Sequence, residues 1–367
     1  MKTLLKCLPA VIFTAFLTSG FSQEACCKND TRNVYVFGSL VYLKSTMEEL
    51  DFAMKRFNEV TIAPLNLNSV GNTVDLNYNW KPGVRAGIGY HSDCTGWKAE
   101  LTGMHYNYNA GNNVAVSSID VSVEQLSPLW FPGLMGFTCQ DASAYWQLDF
   151  NTVDLDFGKT FYSGRCFSWT PFAGLRFAHI NQRYTAEYNN CVYLVLDGGG
   201  TVFFTKDNDT VLNSDFDALG FKAGSDFLYQ ARPNLAFKGS VTGSFVYGKQ
   251  KNKIYVNGGF PSTFTGALAL TPINFTTRNN PYKIIYSVES EFGAKWTVCK
   301  FRNSAFSIAA NYLYAVWFNM NPFTNYFFST DPTGLVGAVT NSNSLVSNKL
   351  DGHLQMHGVT LDASLNF

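Results

Sequence analysis

The last ten residues, Gly358 to Phe367, alternate without a slip. Val359, Leu361, Ala363, Leu365 and Phe367 fall on one side of an extended chain, and Thr360, Asp362, Ser364 and Asn366 on the other. Chain ends are usually polar and frayed, so an alternating stretch closed by phenylalanine predicts a strand with one face in an apolar medium. The same period recurs along the chain. Val74, Leu76, Tyr78, Trp80, Pro82, Val84, Ala86, Ile88 and Tyr90 predict one face, opposite Asp75, Lys81 and Arg85; Pro82 has no N–H for a ladder and predicts a bulge or local irregularity. Trp97, Ala99 and Leu101 oppose Lys98 and Glu100, in a strand continuing to about Tyr108. Trp146, Leu148 and Phe150 then give way to Val153, Leu155 and Phe157, a change of phase at Asn151-Thr152 that predicts a second bulge keeping Gln147, Asp149, Asp154 and Asp156 on one side.

Further strands are predicted at Asn33–Leu43, Thr170–Tyr184, about Phe216–Tyr229, Leu235–Tyr247, Ile284–Val298 and Phe306–Phe318. The short turns are His91–Gly96, Ser163–Cys166, Arg232–Asn234 and Cys299–Asn303. Between them lie long polar connections at about Asn109–Ala142, Glu187–Asn213, Lys251–Asn280 and Asn319–Lys349, together with the stretch after Leu43. Within that stretch, Thr46 and Glu49 at capping-box spacing and the stripe Met47, Leu50, Met54, Phe57 predict a short helix over 46–57. Strict alternation of long and short connections is the plan of an all-β, antiparallel up-and-down barrel crossing a membrane, with long extracellular loops, short periplasmic turns and both termini periplasmic. The count is ten strands. Twelve or more is the alternative, because segments such as Gly266–Thr271 can add a hairpin inside a loop.

Composition agrees. Charged residues are 15% and aromatic residues 16% of the chain, which suits a lipid-facing barrel with aromatic girdles. Met1-Lys2-Thr3-Leu4-Leu5-Lys6, an apolar run from Cys7 and small residues at Gly20 and Ser22 predict a cleaved secretory signal over 1–22. A periplasmic tail over 23–32 and the barrel over 33–367 follow. A formal net charge of +0 argues against a nucleic-acid partner. The partners expected are outer-membrane lipid, the barrel-assembly machinery and, through the loops, a host surface.

The inward faces collect charge. Lys81, Arg85, Lys98, Arg176, Lys222, Lys238 and Lys295 oppose Glu100, Asp149, Asp154, Asp156, Asp226, Glu289, Glu291 and Asp362, with Asp75 beside them. They form either a salt-bridged lining or the wall of an aqueous passage for small ions and solutes. About ten strands lie nearer the size that side chains fill than the 16 to 18 of open porins. Gly358, Leu361, Leu365 and Phe367 are the candidate assembly signal. Cys26, Cys27, Cys94, Cys139, Cys166, Cys191 and Cys299 remain after signal removal, an odd number in an oxidising compartment. Cys26, Cys27, Cys94, Cys166 and Cys299 fall on the periplasmic side, so cross-links to neighbouring envelope proteins are expected there. None of these thiols has zinc-site spacing, and neither a metal nor another cofactor is expected. A rim enzyme is the rival, since His105 and His353 fall near the extracellular end, but neither has an obvious catalytic partner.

Several segments together resemble a known family. Trp80-Lys-Pro-Gly-Val-Arg-Ala-Gly-Ile-Gly-Tyr90 with Gly96-Trp97, Leu148-Asp-Phe-Asn-Thr-Val-Asp-Leu-Asp-Phe-Gly158, Pro171-Phe-Ala-Gly-Leu-Arg176 and Val246-Tyr247-Gly248 are similar, in order, to the MOMP-like pore-forming major outer-membrane proteins of Legionella and environmental chlamydiae. The resemblance implies a major envelope porin, cysteine cross-linked in its chlamydial relatives and often an antigen or adhesin through its loops. It supplies no catalytic residues.

Overall fold

The computed structural model describes residues 32–57, 71–92, 94–116, 124–130, 139–164, 166–197, 200–264, 267–300, 304–329 and 344–367. The expected signal over 1–22, and Cys26 and Cys27 of the expected tail, lie outside the described residues.

Ten antiparallel strands close on themselves: β1 Arg32–Met47, β2 Trp80–Ser92, β3 Trp97–Ala115, β4 Asp141–Lys159, β5 Phe167–Asp197, β6 Gly200–Arg232, β7 Leu235–Phe264, β8 Tyr282–Lys300, β9 Ala305–Phe318 and β10 Leu354–Asn366. Each pairs with its neighbours in sequence, and β10 closes the ring on β1 with Val36 opposite Leu365 and Leu40 opposite Leu361. Closure leaves no open edge in the ring, the condition for a sheet surrounded by lipid. The turn between β2 and β3 is tight because Gly96 takes a left-handed φ of 71° and its carbonyl accepts a hydrogen bond from Thr160 N at 2.7 Å.

The outward face carries an apolar belt. On β7, Phe237, Val241, Phe245 and Tyr247 are all exposed. Ten residue rises from Phe237 to Tyr247, at ~3.4 Å each and a tilt of ~45°, span about 24 Å, matching the ~25 Å apolar band of outer-membrane barrels. Strands β5, β6 and β7 run for 31, 33 and 30 residues, far longer than such a band requires. The expected loops around Glu187–Asn213 and Lys251–Asn280 are therefore largely strand. The extra hairpin in the second of these does form, as Ala267–Asn279 pairs with the far end of β7 outside the ring.

Three local expectations fail for one reason. On β4, the partners on both sides keep register from Asp141 to Gly158, so no bulge exists at Asn151-Thr152. Trp146, Leu148 and Phe150 are buried inside the barrel, on the same face as Thr152, Asp154 and Asp156, while Val153, Leu155 and Phe157 face out. The apolar side changes from outer to inner although the backbone does not slip. The same inversion occurs on β3 between Leu101, exposed outside, and Tyr106, fully buried inside, and on β5 between Phe177 outside and Ile180 inside. Above this level water replaces lipid as the outer medium, so polar residues face out and apolar ones fill the interior. Asp149 and Gln147 accordingly lie on the outer wall rather than the lumen.

Other observations concern the segments around β1 and β2. Pro82 keeps register opposite Tyr42 of β1, but the ladder to β3 stops at Gly83 and resumes one residue out of step at the Asn77–Gly111 bridge, so the local irregularity expected of a residue without an N–H is present on that side. Leu76 is buried and Tyr78 donates its hydroxyl to Met47 O at 3.0 Å, so both point inward from a segment preceding β2, and Asp75 is exposed there. No helix forms over 46–57. Strand β1 continues to Met47, Glu49 takes a positive φ, and Ala53–Phe57 pairs with Gly71–Val74 and Glu124–Pro128 in a separate three-stranded sheet. Leu50 and Phe52 are fully buried between these strands; sheet pairing satisfies the backbone, and the apolar side chains fill the mouth.

Candidate functional site: the charged vestibule and the aromatic plug

The lumen has two parts. Toward the short turns lies a cavity of about 600 Å³, reaching Tyr162, Ser168 and Asn366 at that end and Met104, Phe150 and Leu313 at the other. Six of the expected lumen cations line it, Arg85, Lys98, Arg176, Lys222, Lys238 and Lys295, with seven carboxylates, Glu100, Asp154, Asp156, Asp226, Glu289, Glu291 and Asp362. Lys81 shares the inward parity opposite Leu43, above this cavity. Asp149 does not belong to the set: on the outer wall it accepts from Asn151 Nδ2 at 2.8 Å and lies 3.9 Å from His105 Nδ1.

Three ion-paired groups cross the vestibule. Arg176 holds Asp154 by two bonds of 2.7 Å, also grips Glu289, and lies 5.5 Å from the Trp317 ring centroid; Lys222 bridges Asp154 at 2.9 Å and Asp156 at 2.6 Å. Arg85 bonds Glu291 at 2.7 Å and Asp362 at 3.3 Å, while Lys238 reaches Asp362 at 2.5 Å and Glu291 at 3.3 Å. Lys98 sits 3.0 Å from both Glu100 and Asp226. Alternation alone could not reveal the neutral partners: Tyr35 donates to Glu100 at 2.5 Å, Asn311 to Asp362 at 2.9 Å, and Ser244 and Ser287 accept from Arg176 at 3.4 and 3.3 Å. These groups come from strands far apart in sequence, and only closure of the ring brings them together.

Beyond Arg176 the interior turns apolar and full. Trp146, Trp317, Tyr106, Tyr184, Tyr188 and Phe323 are among the largest fully buried side chains. Their polar tips are anchored to the cap segments: Tyr184 and Tyr188 donate to Leu50 O at 3.2 Å and Phe52 O at 2.7 Å, and Trp130 Nε1 donates to Asp51 O at 2.7 Å. Inward parity on the long strands could have flagged this plug, had the level of inversion been known. In the cap, partial burial and the neighbouring Asp75 push the Asp51 carboxyl up to about 6.

The histidines do not form a rim site. His91 faces the vestibule, His353 accepts from Asn319 N at 3.1 Å, and His357 stacks edge-on against Trp80. His179 pairs with Asp217 at 2.6 Å, but on the outer wall, where that hydrogen bond holds the Asp217 carboxyl below its usual range. Cys139 and Cys191, the two thiols expected in outer loops, form an intramolecular disulfide, and Cys94 is also disulfide-bonded. Cys166 and Cys299 are free and exposed beside the short turns. At the expected assembly signal, Leu361 is exposed on the outer face, and Phe367 donates its N–H to Val34 O at 2.8 Å. Any side chain at Gly358 would collide with the Tyr42 carbonyl and crowd the Trp80 ring.

A closed antiparallel ring with an apolar belt outside and ion pairs inside defines a transmembrane β-barrel of the outer-membrane class. The chain belongs to the family of the Legionella pneumophila major outer membrane protein precursor, whose model matches residues 28–366. It is thus a protein of the bacterial outer membrane. Among solved structures it is similar to the outer membrane protease OmpT of Escherichia coli, at 12% identity over 94% of this chain and 99% of that one, with a TM-score of 0.37. It is also similar to a Pseudomonas aeruginosa FadL homologue, at 8% identity over 92% and 90% with a TM-score of 0.27. A third is the Pseudomonas putida toluene transporter TodX, at 8% identity over 91% and 89% with a TM-score of 0.20. No curated relative matches the chain.

Proposed function

We propose that the protein is a gated pore for passive diffusion of small ions and solutes, shut in this conformation. The observation that carries it is the two-part lumen: a charged vestibule of about 600 Å³ continuous with the short-turn rim, stopped by an aromatic plug that is pinned to cap segments rather than to the barrel wall alone. A plug held through Leu50, Phe52 and Asp51 backbone oxygens moves only when the cap moves. In planar bilayers the purified protein is expected to show brief, small conductance steps, and Leu50→Ala/Phe52→Ala to lengthen the open periods. Silence from both proteins, each verified as a folded barrel, overturns the proposal.

A second role is favoured by the long strands. The shaft of β5, β6 and β7 carries its polar outer face well beyond the apolar belt, a surface suited to recognition by a host or by antibodies. Isolated shaft and loop segments that fail to compete with whole bacteria for host-cell binding would count against it. The free Cys166 and Cys299 thiols support cross-linking to neighbouring envelope proteins at the periplasmic rim; only monomer on non-reducing gels of freshly alkylated cells would refute that. Residues 1–22 are proposed as the export signal, with residues 23–32 leading into the barrel.

A further inference from the structure

Every carboxylate that lines the vestibule has a cationic partner: Glu100 and Asp226 share Lys98, Asp154, Asp156 and Glu289 share Arg176 and Lys222, and Glu291 and Asp362 share Arg85 and Lys238. Five of the six lining cations are consumed in these pairs. Lys295 is the exception: among the described residues its ammonium has no hydrogen-bonded or ion-paired partner. The rungs beside it explain why. Its cross-strand neighbours are Ala236 on β7 and Ala309 on β9, so neither adjacent strand brings a carboxylate to its level. The charges around it are Lys238 and Lys98, which repel it, and Asp362, whose oxygens already serve Lys238 and Arg85. Lys295 is half-buried on the cavity wall, so its ammonium, without a fixed partner, is open to a mobile counter-ion. The cavity has room for one, since 600 Å³ corresponds to about 20 waters at ~30 Å³ each.

We propose that Lys295 is the centre of an anion-binding subsite in the vestibule, taking a small oxyanion or carboxylate that enters from the short-turn, periplasmic end. Ala309 beside it lines the same cavity and leaves room for the anion, while Lys98 and Lys238 are already paired with carboxylates and do not replace Lys295. The proposal rests on access to the vestibule, not on passage through the plug, so a barrel that conducts nothing can still bind.

The test is equilibrium titration of the refolded full-length protein with inorganic phosphate at low ionic strength, read by calorimetry. Heat-modifiable migration on gels verifies that every sample is a folded barrel. Wild type is expected to bind saturably, Lys295→Arg to stay within threefold, and Lys295→Met and Lys295→Gln to weaken binding at least tenfold. Lys249→Met, on the outer wall, is expected to change nothing. Equal affinity in wild type and Lys295→Gln, or no saturable binding by folded wild type, overturns the proposal. Bilayer silence alongside lysine-dependent phosphate binding would instead remove the pore and leave the subsite.

Discussion

Replacing Arg176 with methionine tests whether the vestibule and the plug are one structure. The guanidinium is 3% exposed and engages Asp154, Glu289, Ser244, Ser287 and the face of Trp317. In the variant Asp154 keeps Lys222 at 2.9 Å, whereas Glu289 loses the partner that neutralises it. Breaking a buried pair from one side costs about 3–5 kcal/mol. The Glu289 side chain is 22% exposed and faces a cavity that admits water, so the lower end, about 3 kcal/mol, is expected. Adding Glu289→Gln removes the orphaned charge and should restore about half of the loss, while Arg176→Lys should cost less, about 1–2 kcal/mol, because charge is kept and only the bidentate geometry is lost. The assay is reversible urea unfolding in lipid vesicles, followed by tryptophan fluorescence and gel migration. Because Trp317 stacks on the guanidinium, its emission should also shift in the folded variant. A loss below about 0.5 kcal/mol, or a double variant no more stable than Arg176→Met alone, would refute the view that these ion pairs clamp the lumen.

Other expectations follow from the cap and the chain end. Because the Asp51 carboxyl is raised to about 6 in the folded cap, its contribution is fully present below the ordinary carboxylate pKa and is lost as pH rises through about 6. Solvent screening at this partly exposed site reduces the effect to about 1 kcal/mol, so hydrogen exchange in 48–57 should speed up from pH 5 to pH 7, and Asp51→Asn should remove that dependence. Deleting Phe367 should leave export intact but impair assembly, seen as loss of heat-modifiable barrel in outer-membrane fractions; an unchanged barrel yield counts against a role for the terminal strand in insertion. Reducing Cys139–Cys191, which spans 52 residues, has a loop-entropy ceiling of about 4 kcal/mol. Because β4 and β5 are already neighbours in the ring, reduction should mainly expose the adjoining loop to protease, with little change in barrel unfolding.

The lower half of the barrel was legible because lipid and lumen impose opposite demands on adjacent residues. Ile284, Tyr286, Val288 and Phe292 face out while Glu289, Glu291 and Lys295 face in, and β10 repeats the pattern to its last residue. The upper half misled for an equally physical reason. Alternation reports that two faces differ, not which of them is dry, and the dry face changes sides where the shaft leaves the membrane. At Asn151-Thr152 that change imitates a bulge, and it sent Asp149 to the wrong side of the wall. The helical spacing over 46–57 misled differently, since Leu50 and Phe52 are buried by strands arriving from elsewhere in the chain, which no local window contains.

The inversion also links features that otherwise look separate. Once Phe177 and Leu219 give way on the outer wall to His179 and Asp217, the apolar positions of the same strands can be buried only inside. An aromatic plug is therefore the natural consequence of a shaft that stands in water on strands of 30 residues and more. A passage through such a barrel cannot be a permanently open tube, because opening it wets the surface whose burial holds the shaft together. On the proposed gating, opening is transient and has to expose that apolar surface as well as release the cap bonds of Tyr184, Tyr188 and Trp130. Under that proposal the cap controls the pore and the vestibule selects the solute, and Arg176, whose guanidinium lies against Trp317, sits where the two meet.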